Sequence, residues 1–323
     1  TPLTDAAAPE ATTTSTARAA QFHGRIERDW WLSSFSALTR NARHGGLTTP
    51  DRDQDDPEQA PTAPQDRPLR FRLARGAEAG NLLHDLLERL DFENPDFTTE
   101  LAWAEQRYPA LLPKDAPAGD QASNKEPATP GISPLRPALA TWLSDILSTE
   151  LPSGARLADL SQAHTQREAA FYFPMASKGQ GLARILARHR DTPSVILPEP
   201  PRLKGMMHGY IDLIYQWQGR YYVVDYKSTW LGERLGDYNP TALTESVHAS
   251  FYDLQYLLYT LALHRYLRTR LPDYNPEQHL GGVHYLYLRG MTQGQTTGIY
   301  HRDPDLTALH ALDTLFTGTE TPA

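Results

Sequence analysis

The 323-residue chain contains no cysteine. Disulfides, thiolate zinc sites, cysteine nucleophiles and cysteine-ligated iron–sulfur clusters are therefore excluded. It has no run of about 18 apolar residues, so no membrane-spanning helix is expected. No charged stretch followed by an apolar one opens it, so no secretory signal is expected. No G-x-x-x-x-G-K-[ST] loop occurs, which leaves no ATP site in this chain. Positive charge is scarce: 31 Lys and Arg stand against 39 Asp and Glu, a formal net charge of −8. That balance argues against coating nucleic acid with a broad basic surface, but not against gripping it in one local groove. Carboxylates gathered to hold a metal would push the count the same way. The first residue is Thr1 rather than Met, so a fragment or processed product is expected.

What is present suits a globular body with a sizeable core: 40% of residues are hydrophobic and 22% charged. Residues 1–68 read as a flexible tail and linker. Large apolar side chains are almost missing from 1–20, and the stretch 41–68 is polar, acidic and proline-rich. Between them an aromatic island, residues 28–39 (RDWWLSSFSALT), is suited to docking, with a surface outside this chain as one candidate. The ordered domain is expected over 69–323, softened at 112–134. Leu82, Leu83, Leu86, Leu87 and Leu90 recur at helical spacing. Helices are also expected over 135–147, 246–271 and 306–316, and strands over 168–175, 205–217, 220–228 and 282–289. No internal repeat is found. The order predicts a mixed α/β domain.

The richest segment is Gly209-Tyr-Ile-Asp212 followed by Val224-Asp225-Tyr226-Lys227. A two-residue hairpin loop at Gln218-Gly219 pairs Trp217 with Arg220. Counting back sets Asp212 opposite Asp225, with Cβ atoms roughly 4.5–5.5 Å apart. Lys227 then shares their face, with Ile211, Leu213 and Tyr215 on one side of the hairpin and Ile214, Val223 and Tyr221 on the other. Opposed carboxylates between apolar strands resist joint ionisation and call for a cation beyond one lysine. Oxygen ligands favour Mg²⁺ or Mn²⁺ over Zn²⁺. A structural Asp–Lys pair at a sheet end, with the second aspartate solvated, accounts for the same residues. His84, one helical turn from Gly80, offers an imidazole or simply packs. Glu168 starts a strand, as a functional carboxylate or an exposed strand end. Gln255 and Tyr259 lie one turn apart on a helix, where core packing is the ordinary role.

In order, Gly80-x-x-x-His84, Glu168, Gly209-x-x-Asp212, Asp225-Tyr-Lys227 and Gln255-x-x-x-Tyr259 resemble the motifs of the PD-(D/E)xK nuclease superfamily, and within it the RecB-type nuclease domain. The flanks 75–92, 205–233, 252–267 and 281–290 carry the same resemblance, which spans about Leu69 to Phe316. It implies a restriction-endonuclease-like α/β core, a central mixed sheet flanked by helices. It implies a Mg²⁺-dependent deoxyribonuclease of the exodeoxyribonuclease V type, with Mn²⁺ or Ca²⁺ able to occupy the site. His84, Asp212, Asp225 and the Tyr226 carbonyl would be metal ligands, Lys227 the catalytic lysine, Glu168 a further acidic member, and Gln255 and Tyr259 site support or DNA contacts. It further implies a cytoplasmic enzyme acting on single- and double-stranded DNA ends in double-strand-break repair, recombination and degradation of linear DNA, with RecC, RecD and RecA as partners and no membrane. A nuclease-shaped module that binds DNA ends or RecA without cutting is the alternative. On the sequence alone, Asp225→Ala is expected to abolish cleavage with little loss of fold, because it separates two repelling carboxylates.

Overall fold

A computed structural model describes residues 31–39, 67–113, 133–178, 180–197 and 202–317. The expected tail, most of the expected linker and most of the soft stretch at 112–134 lie outside them. In chain order come β1 (Trp31–Ser33), α1 (Phe35–Thr39), α2 (Leu69–Arg72), α3 (Ala77–Arg89), α4 (Phe97–Arg107) and α5 (Arg136–Ser148). Then follow β2 (Thr165–Lys178), α6 (Gln180–His189), β3 (Arg202–Trp217), β4 (Arg220–Lys227), α7 (Pro240–Ala249) and α8 (Tyr252–Arg270). The last are α9 (Pro276–His279), β5 (Leu280–Tyr287), β6 (Ile299–Arg302) and α10 (Leu306–Thr317).

The strands form one six-stranded mixed sheet in the order β1-β3-β4-β5-β6, with β2 on the other edge of β3. β1 runs parallel to β3 and β4 parallel to β5; the remaining pairs are antiparallel. Each face of the sheet carries its own core. One packs Leu82, Leu83, Leu86 and Leu87 of α3 and Trp142, Leu143 and Ile146 of α5 against Leu213, Tyr215, Val224 and Tyr226. The other packs α8, with Leu182 of α6 and Leu312 of α10, against Ile211, Val223 and Tyr285. This is the expected mixed sheet flanked by helices, with α8 buried almost all round as the second layer demands. Among the described residues no helix is long and apolar enough to cross a membrane.

The hairpin turns where its sequence directs. Gln218 (φ 48°) and Gly219 (φ 79°) both adopt left-handed backbone, the signature of a type I′ turn. Pairing then runs from Trp217↔Arg220 to Leu213↔Val224. Two expectations need correcting. Ile211 does not share a face with Leu213 and Tyr215: it enters the α8 core while they enter the α3–α5 core. The cause lies at Glu168, whose φ of 45° breaks the β2–β3 ladder at the step where it would meet Asp212. The alternation of both strands is reset there. The expected helix 246–271 is also divided, into α7 and α8, because Phe251 turns left-handed (φ 55°) between them.

The aromatic island docks on this chain's own sheet. β1 pairs with Gly205–Met207 of β3, and Phe35 and Leu38 are buried in the α8 core. β1 and β4 thus share one edge of β3, separated by residues 208–212.

Candidate active site

Several of the candidate side chains collect at this change of partner along β3. β4 parts from β3 beyond Val224, and there the Asp212 carboxylate accepts a 2.7 Å hydrogen bond from the Tyr226 amide. A side chain stands where the ladder would continue. His84 reaches the same carboxylate from α3, its Nδ1 3.5 Å from Asp212 Oδ2. The helical spacing that buries Leu83 and Leu87 turns His84 inward, edge-on to the Tyr226 ring at 5.8 Å.

Asp225 and Lys227 follow on β4 with alternate side chains on one face. Lys227 Nζ lies 2.7 Å from Asp225 Oδ2, and both side chains are nearly inaccessible. The ammonium also sits 3.9 Å from the centre of the Tyr252 ring and 5.4 Å from that of Tyr285. Burial pushes the Asp225 carboxyl above the ordinary carboxylate range; Lys227 opposes this and the nearby Asp212 charge reinforces it. Burial acts on Asp212 too, but His84, the Tyr226 amide and Lys227 outweigh it and hold that carboxyl low. The two acids thus occupy one electrostatic neighbourhood and differ in how readily they ionise.

Glu168 stands opposite Asp212 in the β2–β3 register, at the single step missing from a ladder that otherwise runs from Thr165 to Lys178. The expected ladder pairing of Asp212 with Asp225 is not formed, because the β3–β4 ladder ends at Leu213↔Val224 and the Asp212 side chain takes the Tyr226 amide instead. Gln255 and Tyr259 are buried beneath the site rather than displayed on it. Gln255 Nε2 donates to Tyr259 Oη (3.1 Å), and Tyr285 Oη donates to Gln255 Oε1 (2.7 Å). Burial keeps the Tyr285 phenol protonated, as a donor must be.

Two contributors escaped the sequence reading. Tyr285 faces Asp225 in the β4–β5 register, which only the parallel pairing of those strands reveals. Tyr252 opens α8 after the Phe251 break. The pattern His284-Tyr285-Leu286-Tyr287 did signal that Tyr285 and Tyr287 share a face. Gly209 gains a physical reason as well: a Cβ there would lie 2.7 Å from the Phe171 ring, which packs edge-on to Tyr259 at 5.7 Å.

Two carboxylates and an imidazole suit a hard divalent ion in kind. Asp225 behaves as a buried acid short of positive charge does. Among the described residues no three His, Asp or Glu side chains already stand at metal-holding spacing. One oxygen of Asp212 is engaged with Tyr226 and one of Asp225 with Lys227. The donor chemistry fits, and His84, Asp212 and Asp225 are the residues able to supply it.

A mixed sheet layered between helices, with Asp212, Asp225 and Lys227 where its central strands part, defines a nuclease-type α/β core, and the chain belongs to the PD-(D/E)XK nuclease superfamily, whose sequence model matches residues 59–317. It is similar to the RecBCD enzyme subunit RecB of Escherichia coli, 35% identical over 297 residues, or 90% of this chain and 23% of that protein. The RecB subunit of Haemophilus influenzae is 31% identical over 318 residues (93% and 24%), and that of Mycobacterium tuberculosis 32% over 334 (91% and 29%). The chain spans about a quarter of the length of these relatives.

Proposed function

We propose that the chain is the nuclease part of a RecB-type helicase–nuclease, a metal-dependent deoxyribonuclease that hydrolyses phosphodiester bonds at DNA ends. The observation that carries this reading is the buried Asp225–Lys227 pair beside Asp212 and His84. Asp212 and Asp225, with His84 and the Tyr226 carbonyl, would hold Mg²⁺. When bound, the ion supplies Lewis-acid stabilisation of the phosphate charge and lowers the pKa of water.

The remaining chemistry belongs to the chain. Lys227 would direct its ammonium at the attacking water or at the charge growing on phosphorus. The Tyr252 and Tyr285 rings flank its ammonium, and the buried setting keeps bulk water away. Gln255, fixed between Tyr259 and Tyr285, ties α8 to β5, the strand beside β4. Glu168 would orient a water or a second ion. The similarity to RecB extends the proposal to RecC and RecD as partners, to RecA contact, and to double-strand-break repair, recombination and degradation of linear DNA.

The test is cleavage of linear single- and double-stranded DNA with Mg²⁺, with Lys227→Ala as control. Cleavage that needs Mg²⁺, stops in EDTA and falls by at least about 10²-fold in the variant supports the proposal. A protein that binds DNA ends but cuts nothing under any divalent ion overturns it.

A further inference from the structure

Between its basic far end and Asp212, the β2–β3 ribbon presents one face to α8 and the other to solvent. Phe173, Met175, Met207 and Ile211 are buried on the first. On the second, Ala170, Tyr172 and Pro174 are exposed, and Met206, His208 and Tyr210 half-buried. Tyr172 is 59% accessible, a large aromatic on a regular strand with one side of its ring in use. That side stacks on His208, its partner in the ladder, at 5.9 Å and 17° between planes. Ala170 and Pro174, two positions to either side, are too short to cover the ring. Burial lowers the pKa of His208, so the pair is an uncharged stack at neutral pH.

The stack is in line with the candidate site. Along β3 the order is His208, Tyr210, Asp212, and at ~3.3 Å per residue His208 lies about 13 Å from Asp212. At the other end of the ribbon Lys178 pairs with Arg202, and Lys204 follows two positions on. With a net charge of −8, counterion release over a broad basic surface is not available to hold a polyanion. Base stacking on an aromatic ring does not depend on net charge and accepts any base. A duplex keeps its base faces covered, so a ring on this face selects unpaired strands.

Building on the nuclease reading, we propose that the outer face of the β2–β3 ribbon, centred on Tyr172 stacked on His208, is the platform on which single-stranded nucleic acid lies as it enters the site at Asp212. The probe is a fluorescein-labelled oligothymidylate, titrated into the chain in EDTA so that binding is read without cleavage. Tyr172→Ala is expected to weaken binding about tenfold, and Tyr172→Phe to stay within about twofold of wild type. An oligonucleotide with abasic positions costs the wild type the same factor and Tyr172→Ala nothing further. A duplex of the same sequence binds both equally. With Mg²⁺, Tyr172→Ala raises KM for the single strand by the same factor with kcat retained, a split that a purely structural role would not give.

Unchanged binding in Tyr172→Ala, a Phe variant as weak as the Ala variant, or equal losses on duplex would each overturn the platform. If the wild type binds the oligonucleotide through Tyr172 yet cleaves nothing, the platform stands and the nuclease reading falls. If it cleaves normally and Tyr172→Ala is silent, the reverse holds.

Discussion

At the scale of single residues, Asp225 shows how the structure revises an expectation drawn from sequence. Read as one of two repelling carboxylates, it appears removable at little cost. In the folded chain it pairs with Lys227, whose side chain is 1% accessible. Truncating one member of a buried pair leaves the other charge uncompensated. Asp225→Ala is therefore expected to lose about 3–5 kcal/mol along with activity. Asp225→Asn keeps an acceptor for Lys227 but not the compensating charge, so it should lose less stability than the alanine variant and still fail to cleave. Urea unfolding of the two variants beside a nuclease assay separates these outcomes. Gly209 is the second such residue. Gly209→Ala would drive a methyl into the Phe171 ring and disturb its contact with Tyr259. A loss of about 1–3 kcal/mol is expected, with lowered activity, and Phe171→Leu in the same chain should recover part of both. The hairpin was legible from Gln218-Gly219 because left-handed backbone at a glycine-bearing loop has few alternatives. The left-handed turn at Glu168 was not legible, since nothing in its neighbours marks a glutamate for positive φ.

At the scale of elements, β5 carries a titratable group that the candidate site does not use. His284 is fully buried, stacked between Tyr222 at 5.4 Å and His301 at 4.8 Å, and neither ring nitrogen is hydrogen-bonded among the described residues. Burial, with His301 beside it, pushes its pKa down to about 3. The native state then refuses a proton that the unfolded chain accepts near pH 6.5. Above that pH the group has no effect on stability. As pH falls from about 6.5 towards 3, stability is lost progressively, by a few kcal/mol in all. His284→Phe keeps the stack and should flatten this part of the profile, a comparison that urea midpoints at pH 7 and pH 4.5 would make. Periodicity revealed β3, β4, β5, α3, α5 and α10 because each carries one apolar stripe or run. It missed the α7–α8 division, since apolar residues continue through Phe251 and only the backbone turns. It also missed β6, a four-residue edge strand with no buried residue.

At the scale of the whole molecule, the site depends on pieces far apart in sequence: His84 from the α3 layer, Asp212 and Asp225 from the sheet, and Tyr252 and Gln255 from the α8 layer. Arg289 helps to lock two of these parts together. Fully buried, it donates to the carbonyls of Ser228, just past Lys227, and of Arg70, Leu73 and Ala74, just ahead of α3. The motif residues His84 and Asp212 lie together, as do Asp225 and Lys227, and the resemblance to RecB-type nucleases announced the layering. The partner of residues 31–39 could not be read that way: docking was expected, with a surface outside this chain as one candidate, whereas β1 adds to this chain's own sheet and Phe35 packs on Tyr252 at 6.4 Å, the ring over Lys227. A variant beginning at Leu69 tests this. It is expected to unfold at lower temperature than the full chain and to cleave more slowly.

The same truncation has a second consequence, one of colloidal behaviour. Without β1, the amides and carbonyls of Gly205–Met207 that now face it would be bare along an inner strand's flank, next to apolar Met206 and Met207. Unsatisfied strand flanks recruit strands from other molecules. Preparations trimmed to the motif-bearing core should therefore self-associate and precipitate on concentration, and a short synthetic strand carrying residues 30–39 should keep them monodisperse.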